Sequence, residues 1–116
     1  MKPILLILAT LLLPLRLAHA NLLTAFERPS KPIRTEVFQR SNIGPNRQSN
    51  FRVVYRVPIE LGGDRHVQNA TPLPKRQFSD WKQGMKRIRS DLKTHKSSPA
   101  TAKAQAWNWT SRNGRN

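Results

Sequence analysis

The chain has 116 residues, with 21 lysines and arginines against six acidic residues, a formal net charge of +15 and no cysteine. Its length excludes a multidomain protein, and the lack of cysteine excludes a domain held together by disulfides. The charge predicts attraction to a polyanion, which is either the phosphate backbone of a nucleic acid or an anionic membrane surface.

The first 20 residues have the pattern of an export signal. Lys2 precedes an apolar run over residues 4–15, and small residues at positions 18–20 suit a signal peptidase. The apolar run is shorter than the about 20 residues that a membrane-spanning helix needs. We therefore expect cleavage after Ala20 and a secreted or periplasmic protein, with an uncleaved membrane anchor as the alternative. Loss of the two cations in this segment would leave a net charge of +13.

Residues 21–50 are polar and interrupted by prolines, which predicts an irregular basic arm with one short helix near 36–40. Between residues 51 and 57 the pattern changes to the period of two that is typical of a strand with one buried face. In this alternation the first set is apolar and the second mostly basic: Phe51, Val53, Tyr55 and Val57 against Arg52, Val54 and Arg56.

A turn and a returning strand are predicted next. Pro58 ends the first strand or places it at an edge, and Gly62-Gly63 predicts a turn whose backbone needs positive φ. Residues 66–71 are predicted as a short second strand, which the prolines of the segment 72–74 then interrupt.

A basic amphipathic helix is predicted after these prolines. Ser79 or Asp80 would cap it. Large apolar residues then follow at spacings of four, three and four and form one face that suits core packing: Trp81, Met85, Ile88 and Leu92. Pro99 predicts the start of a second short helix that reaches Trp107, and residues 110–116 are predicted to be loose.

The segment YRVPIELGGD at residues 55–64, followed by Asn69 and by TPLP at residues 71–74, resembles the centre of the HNH nucleases, the ββα-metal family. Members commonly have Asp-His, two residues, Pro-Leu-x-Leu-Gly-Gly, a spacer, an asparagine and a proline-containing stretch before a helix. Lys75-Arg76 adds a similarity to the colicin-type nucleases. The resemblance covers about residues 51–92. It implies a small α+β domain, residues 51–109, with a ββα core, the irregular arm before it and a short C-terminal helix.

The residues that the family uses for catalysis are mostly different here. Its general base is a histidine where this chain has Tyr55, and the metal ligand before that histidine is here Val54. Its later metal-binding histidines correspond to Gln77 and Trp81, whereas Asn69 matches the asparagine that orients the base. A phosphodiester nuclease needs a base and a divalent cation, and tyrosine, with a pKa near 10, is a poor base. Cleavage is therefore the less favoured hypothesis.

A displaced metal site is the route by which activity would be restored. Glu60, Asp64 and His66 flank the Gly-Gly turn and would bind the divalent cation, with Tyr55, His66 and Asn69 as candidate catalytic residues. The competing interpretation is that Asp64 serves the turn and that His66 is exposed.

The predicted partner is nucleic acid, contacted at its phosphates without reading of sequence. An anionic membrane surface is the second candidate, and no small-molecule substrate is indicated. Trp107 and Trp109 either stack on bases or pack the C-terminal helix. The candidate phosphate-binding cations lie on the strand, before the long helix and along it: Arg52, Arg56, Lys75, Arg76, Lys82, Lys86, Arg87, Arg89 and Lys93.

Two alternatives lack a nuclease fold. A secreted cationic precursor would be cut at basic pairs such as Lys75-Arg76, but the strand pattern argues against a disordered chain. A membrane-active effector would use the helix at 79–93, whose four large apolar residues suit a core better than a bilayer. Asn69 and Asn108 also begin N-glycosylation motifs.

Overall fold

The computed structural model of the protein describes residues 26–113, so the predicted export signal lies outside the described residues. It confirms a small α+β fold. The elements are helix α1 (Lys31–Arg40), strand β1 (Phe51–Tyr55), strand β2 (Ala70–Pro74), helix α2 (Lys75–Lys93) and helix α3 (Pro99–Asn113). Single 3-10 turns at Gln48–Asn50, Ile59–Leu61 and Val67–Asn69 connect them. β1, β2 and α2 thus follow one another in the order ββα.

The two strands form an antiparallel sheet in which Phe51 lies opposite Pro74 and Tyr55 lies opposite Ala70. The second strand was expected over residues 66–71, but it begins at Ala70, after the 3-10 turn Val67–Asn69, and continues through Pro72 and Pro74. Each strand of a two-stranded sheet has a free edge, where a residue without an N–H is tolerated.

Helix α2 begins directly after this strand, at Lys75, and not at the predicted Ser79 or Asp80. Phe78 lies three residues before Trp81 and packs against the core, so it extends the apolar stripe of the helix by one turn. The local cap signal therefore gave the wrong starting point, because tertiary packing decided the boundary.

The core lies between the sheet and the two long helices. Trp81, Met85 and Ile88 of the apolar stripe of α2 are buried there and Leu92 is partly buried, as their spacing predicted, against small residues of α3 and the end of β1. Val53, Val54 and Tyr55 are all buried. Since consecutive residues of a strand point to opposite faces, both faces of β1 are covered, and the prediction of a single buried face is wrong. The cluster consists of Val54, Val57, Leu61, Leu73, Trp81, Met85, Ile88, Ala102 and Ala106.

The segment predicted as an irregular arm contains the ten-residue helix α1, which packs against β2 and buries Val37. Its proline, Pro32, stands in the first turn, where a missing N–H breaks no helical hydrogen bond. The periodicity of this helix is weak, so the sequence showed only part of it.

Helix α3 begins as predicted, with Pro99 in its first position and the Ser98 hydroxyl accepting the Thr101 N–H at 3.2 Å. It continues to Asn113, beyond the predicted end at Trp107, so the expectation of a loose tail is wrong for residues 110–113. None of the helices within residues 26–113 has the length and apolar character needed to cross a membrane.

The close approach of α3 to α2 explains a glycine in the middle of a helix. A Cβ on Gly84 would lie 2.9 Å from Nε1 of Trp109 and 3.2 Å from its Cδ1. The indole ring therefore occupies the space that a side chain at position 84 would need, and Trp109 packs against the core.

Candidate nucleic-acid interface

Asn69 fixes the loop that follows β1. Its side chain is buried, with 7% of its surface exposed. The Oδ1 atom accepts the Val57 N–H at 3.0 Å, and Nδ2 donates to the carbonyl oxygens of Val57 and Asp64, each at 2.9 Å. The amide therefore bonds to the loop backbone, and its predicted role of orienting a catalytic base at position 55 is not what the structure shows. The same burial removes Asn69 from reach as a glycosylation site in the folded domain.

The Gly-Gly turn has the backbone that was predicted. Gly62 has a φ of 94°, in the left-handed region that favours glycine. A side chain on Gly63 would overlap the Val57 carbonyl oxygen. The two glycines thus allow the loop to fold back onto the end of β1, next to the Asn69 amide.

Tyr55, at the position of the family's general base, is a buried phenol with 2% of its surface exposed. Burial raises its pKa, and the nearby carboxylate of Glu27 raises it further. Arg65 donates two hydrogen bonds to the Glu27 carboxylate, at 2.7 and 2.8 Å, and these hydrogen bonds lower the pKa of Glu27. A phenol held neutral in this way does not serve as a general base at neutral pH.

The predicted metal ligands are engaged elsewhere. Both carboxylate oxygens of Glu60 accept the backbone N–H of Glu27, at 3.0 and 3.2 Å. Asp64 accepts the backbone N–H of His66 at 3.2 Å, and His66 is exposed. Within residues 26–113 no group of three or more His, Cys, Asp or Glu side chains is placed to hold a metal ion.

The predicted set of Glu60, Asp64 and His66 is therefore not assembled, because each carboxylate accepts a backbone N–H, Glu60 from the distant Glu27 and Asp64 from the neighbouring His66. Val54, at the family's other ligand position, is part of the core. The residues present do not fit a divalent cation. The competing interpretation, a turn-stabilising Asp64 and an exposed His66, agrees with the structure.

The cations of α2 divide into two flanks of the helix. Five of them follow at spacings of seven, four, three and four, which places them on one flank: Lys75, Lys82, Lys86, Arg89 and Lys93. The other flank combines two cations with the only two acidic residues of the helix, at spacings of four, seven and four: Arg76, Asp80, Arg87 and Asp91. Arg76 and Arg87, both predicted phosphate contacts, thus share a flank with negative charge.

Arg56, another predicted phosphate contact, holds α3 in place. Its Nε donates to the Thr110 hydroxyl at 3.2 Å, and its guanidinium also contacts the Ser111 hydroxyl. The guanidinium lies 3.5 Å from the ring centroid of Trp107, which is 41% exposed. Arg56 and one face of Trp107 therefore pack together where the end of β1 meets α3.

Arg52 lies next to the flank of α2 that carries five cations and no acidic residue. Its guanidinium is 4.1 Å from the ring centroid of Phe78. Arg28 and Arg34, from the segment before β1, line a cavity together with Arg52 and Lys75. Sequence reasoning missed Arg28 and Arg34, because their segment has no regular period and only its local positive charge marked it.

We call the resulting surface the basic face, and it consists of eight cations: Arg28, Arg34, Arg52, Lys75, Lys82, Lys86, Arg89 and Lys93. Comparisons of the chain with protein families, with curated proteins and with solved structures find no match. The functional argument therefore depends on the chemistry of this face.

Proposed function

We propose that the protein binds nucleic acid non-specifically, through phosphate contacts of the basic face, on an HNH-like ββα frame that does not cleave. The observation that carries the proposal is the separation of charge. Each of the six acidic residues is bonded to its own partner or lies on the opposite flank of α2. Lysine and arginine on such a face bind phosphates and release their counterions without reading sequence.

The four acidic residues outside α2 show this separation directly. Glu27 is paired with Arg65 at 2.7 Å, and Glu36 with Arg40 at 2.8 Å. Glu60 and Asp64 accept backbone N–H groups. Of these, Glu27 lines a cavity together with Arg28, Arg52 and Lys82, and its ion pair with Arg65 offsets its charge there. The cations of the basic face outnumber this carboxylate and attract a polyanion.

The structure favours nucleic acid over insertion into a membrane. An interfacial helix needs an apolar face that is free to enter the bilayer. The apolar residues of α2, among them Trp81, Met85 and Ile88, are buried in the core. Within residues 26–113 the exposed large apolar side chain is Trp107, and Arg56 lies over its ring.

A pair of charge-reversal variants on the same helix tests the proposal. Lys82→Glu with Lys86→Glu alters the basic face, and Arg76→Glu with Arg87→Glu changes the net charge by the same amount on the other flank. Fluorescence anisotropy with labelled DNA at low salt is expected to show about tenfold or more loss of affinity for the first variant and much less for the second.

Circular dichroism and thermal unfolding of both variants establish that they are folded. Equal losses in the two variants would show that net charge alone causes binding, and unchanged affinity in the first would remove the basic face from the interaction. Binding to anionic vesicles but not to DNA would replace the proposal with the membrane alternative.

A further inference from the structure

Two cavities adjoin at the end of the basic face where α2 begins. One, of about 190 Å³, is lined by the rings of Phe26, Phe78 and Trp81 together with charged residues that include Glu27 and Lys82. The other, of about 290 Å³, is lined by four cations and contains no carboxylate. They share Arg28, Arg52 and Val53 as lining residues, so the two arginines lie at the boundary between an aromatic and a cationic compartment.

The aromatic rings of the first cavity pack against one another. Phe78 is stacked on Trp81 and Phe26 meets it edge-on, both with centroids 5.6 Å apart. Trp81 is buried, with 3% of its surface exposed, and its indole Nε1 has no hydrogen-bond partner among residues 26–113. The three rings therefore offer an aromatic surface on which a base can pack.

The cationic cavity contains arginines whose directions are fixed. Arg34 donates to the Pro29 carbonyl oxygen at 2.7 Å, and Arg52 lies over the Phe78 ring. Lys75 is the first residue of α2, where the helix N-terminus adds positive potential. Guanidinium groups fixed in this way suit the oxygens of a phosphate.

We propose that the two cavities together bind one nucleotide of a single-stranded nucleic acid. The phosphate lies among Arg28, Arg34, Arg52 and Lys75, and the base enters the aromatic cavity, where it contacts the rings that line it. Together the cavities fall within the roughly 300–1,000 Å³ that is typical of small-ligand sites. A base in a duplex is paired and stacked, so the site favours single strands. This inference depends on the proposed function and narrows its substrate class.

The first experiment compares a single-stranded oligonucleotide with a duplex of the same sequence, at matched salt, by anisotropy. We expect severalfold tighter binding of the single strand. In parallel, the three indole N–H signals are followed by NMR, with Trp107→Phe and Trp109→Phe identifying the Trp81 signal by elimination. That signal is expected to shift when the single strand is added, and to remain in place with inorganic phosphate.

Three outcomes would overturn the site. Equal affinity for the single strand and the duplex, with an unmoved Trp81 signal, would mean phosphate contacts alone and no base in the aromatic cavity. A preference for single strands without that shift would place the preference elsewhere. A shift with a nucleoside 5′-monophosphate and no preference for the strand would make a free nucleotide the ligand.

Matched variants separate this inference from the proposed function. Arg28→Gln with Arg52→Gln removes the two cations shared by the cavities, and should abolish the preference for single strands. Lys86→Gln with Lys93→Gln removes the same charge from the basic face outside the cavities, and should weaken single strand and duplex equally. If the first variant still prefers single strands, the proposed nucleotide site is wrong. If the wild-type protein binds neither the single strand nor the duplex, the proposed function itself is wrong.

Discussion

Replacement of Asn69 by alanine should destabilise the domain more than any change on its surface. The substitution removes three hydrogen bonds and leaves the N–H and the carbonyl oxygen of Val57 without their partner in a buried setting. An unpaired buried polar group costs about 1–3 kcal/mol. Two such groups predict a loss of about 2–6 kcal/mol, which is a large part of the roughly 5–15 kcal/mol that stabilises a small domain.

Urea unfolding followed by circular dichroism measures this loss, and Asn69→Asp is the matched comparison. Aspartate keeps an acceptor for the Val57 N–H. Its second oxygen, however, cannot donate a hydrogen bond and would face the carbonyl oxygens of Val57 and Asp64, which are also acceptors. At neutral pH we therefore expect it to be at least as unstable as alanine, with partial recovery in acid, where the carboxyl regains a donor. A cost below about 1 kcal/mol for both variants would refute the role of Asn69 as the clamp of this loop.

Three further predictions concern packing, pH and metal. Gly84→Ala should lower the melting temperature, although alanine gains about 1 kcal/mol in helix propensity, because Trp109 lies 2.9 Å from the new Cβ. Glu27→Gln should be less stable than the wild type at pH 7 in urea unfolding and equal to it near pH 2. The Arg65 hydrogen bond lowers the pKa of Glu27, so its contribution is present above the ordinary pKa of about 4.3 and is lost as the pH falls through the lowered value. Supercoiled plasmid should stay intact with Mg²⁺, Mn²⁺, Ni²⁺ or Zn²⁺, with EDTA as the control.

Each of these has a result that contradicts it. Gln83→Ala is the control for the helix, and a Gly84→Ala variant that gains as much stability as propensity predicts would mean that α3 packs differently. A Glu27→Gln deficit that persists near pH 2 would exclude the ion pair as its cause. Metal-dependent nicking that disappears in His66→Ala would show that an active site is built from residues that the structure holds apart.

The sequence predicted those elements whose signals are local. The apolar spacing from Trp81 to Leu92 identified the core face of α2, and Ser98 with Pro99 marked the start of α3. The glycine pair gave the turn after β1. Each of these signals reflects a backbone or packing requirement within a few residues, and the α+β class follows from their order.

The predictions that were wrong or incomplete concern residues whose contacts join distant segments of the chain. Arg56 looked like a phosphate contact on a strand, but its partners in α3 lie 54 and 55 residues later. Glu60 looked like a metal ligand by its spacing from Asp64, whereas its carboxylate accepts the backbone N–H of Glu27, 33 residues earlier. Arg28 belongs to a segment without a period, and only the fold brings it to Arg52. The likeness to the HNH family remains a prediction, which the ββα order fits.

The most direct test of phosphate binding by the basic face is the dependence of affinity on salt. The logarithm of the binding constant for a single strand is measured against the logarithm of NaCl concentration, for the wild type and for Lys82→Glu with Lys86→Glu. If the five cations on this flank of α2 each contact a phosphate, the wild-type slope should be roughly −3 to −4, and the variant slope should be smaller in magnitude by at least about 1.4. Slopes near zero, or identical slopes in the two proteins, would contradict a phosphate-binding function for this face.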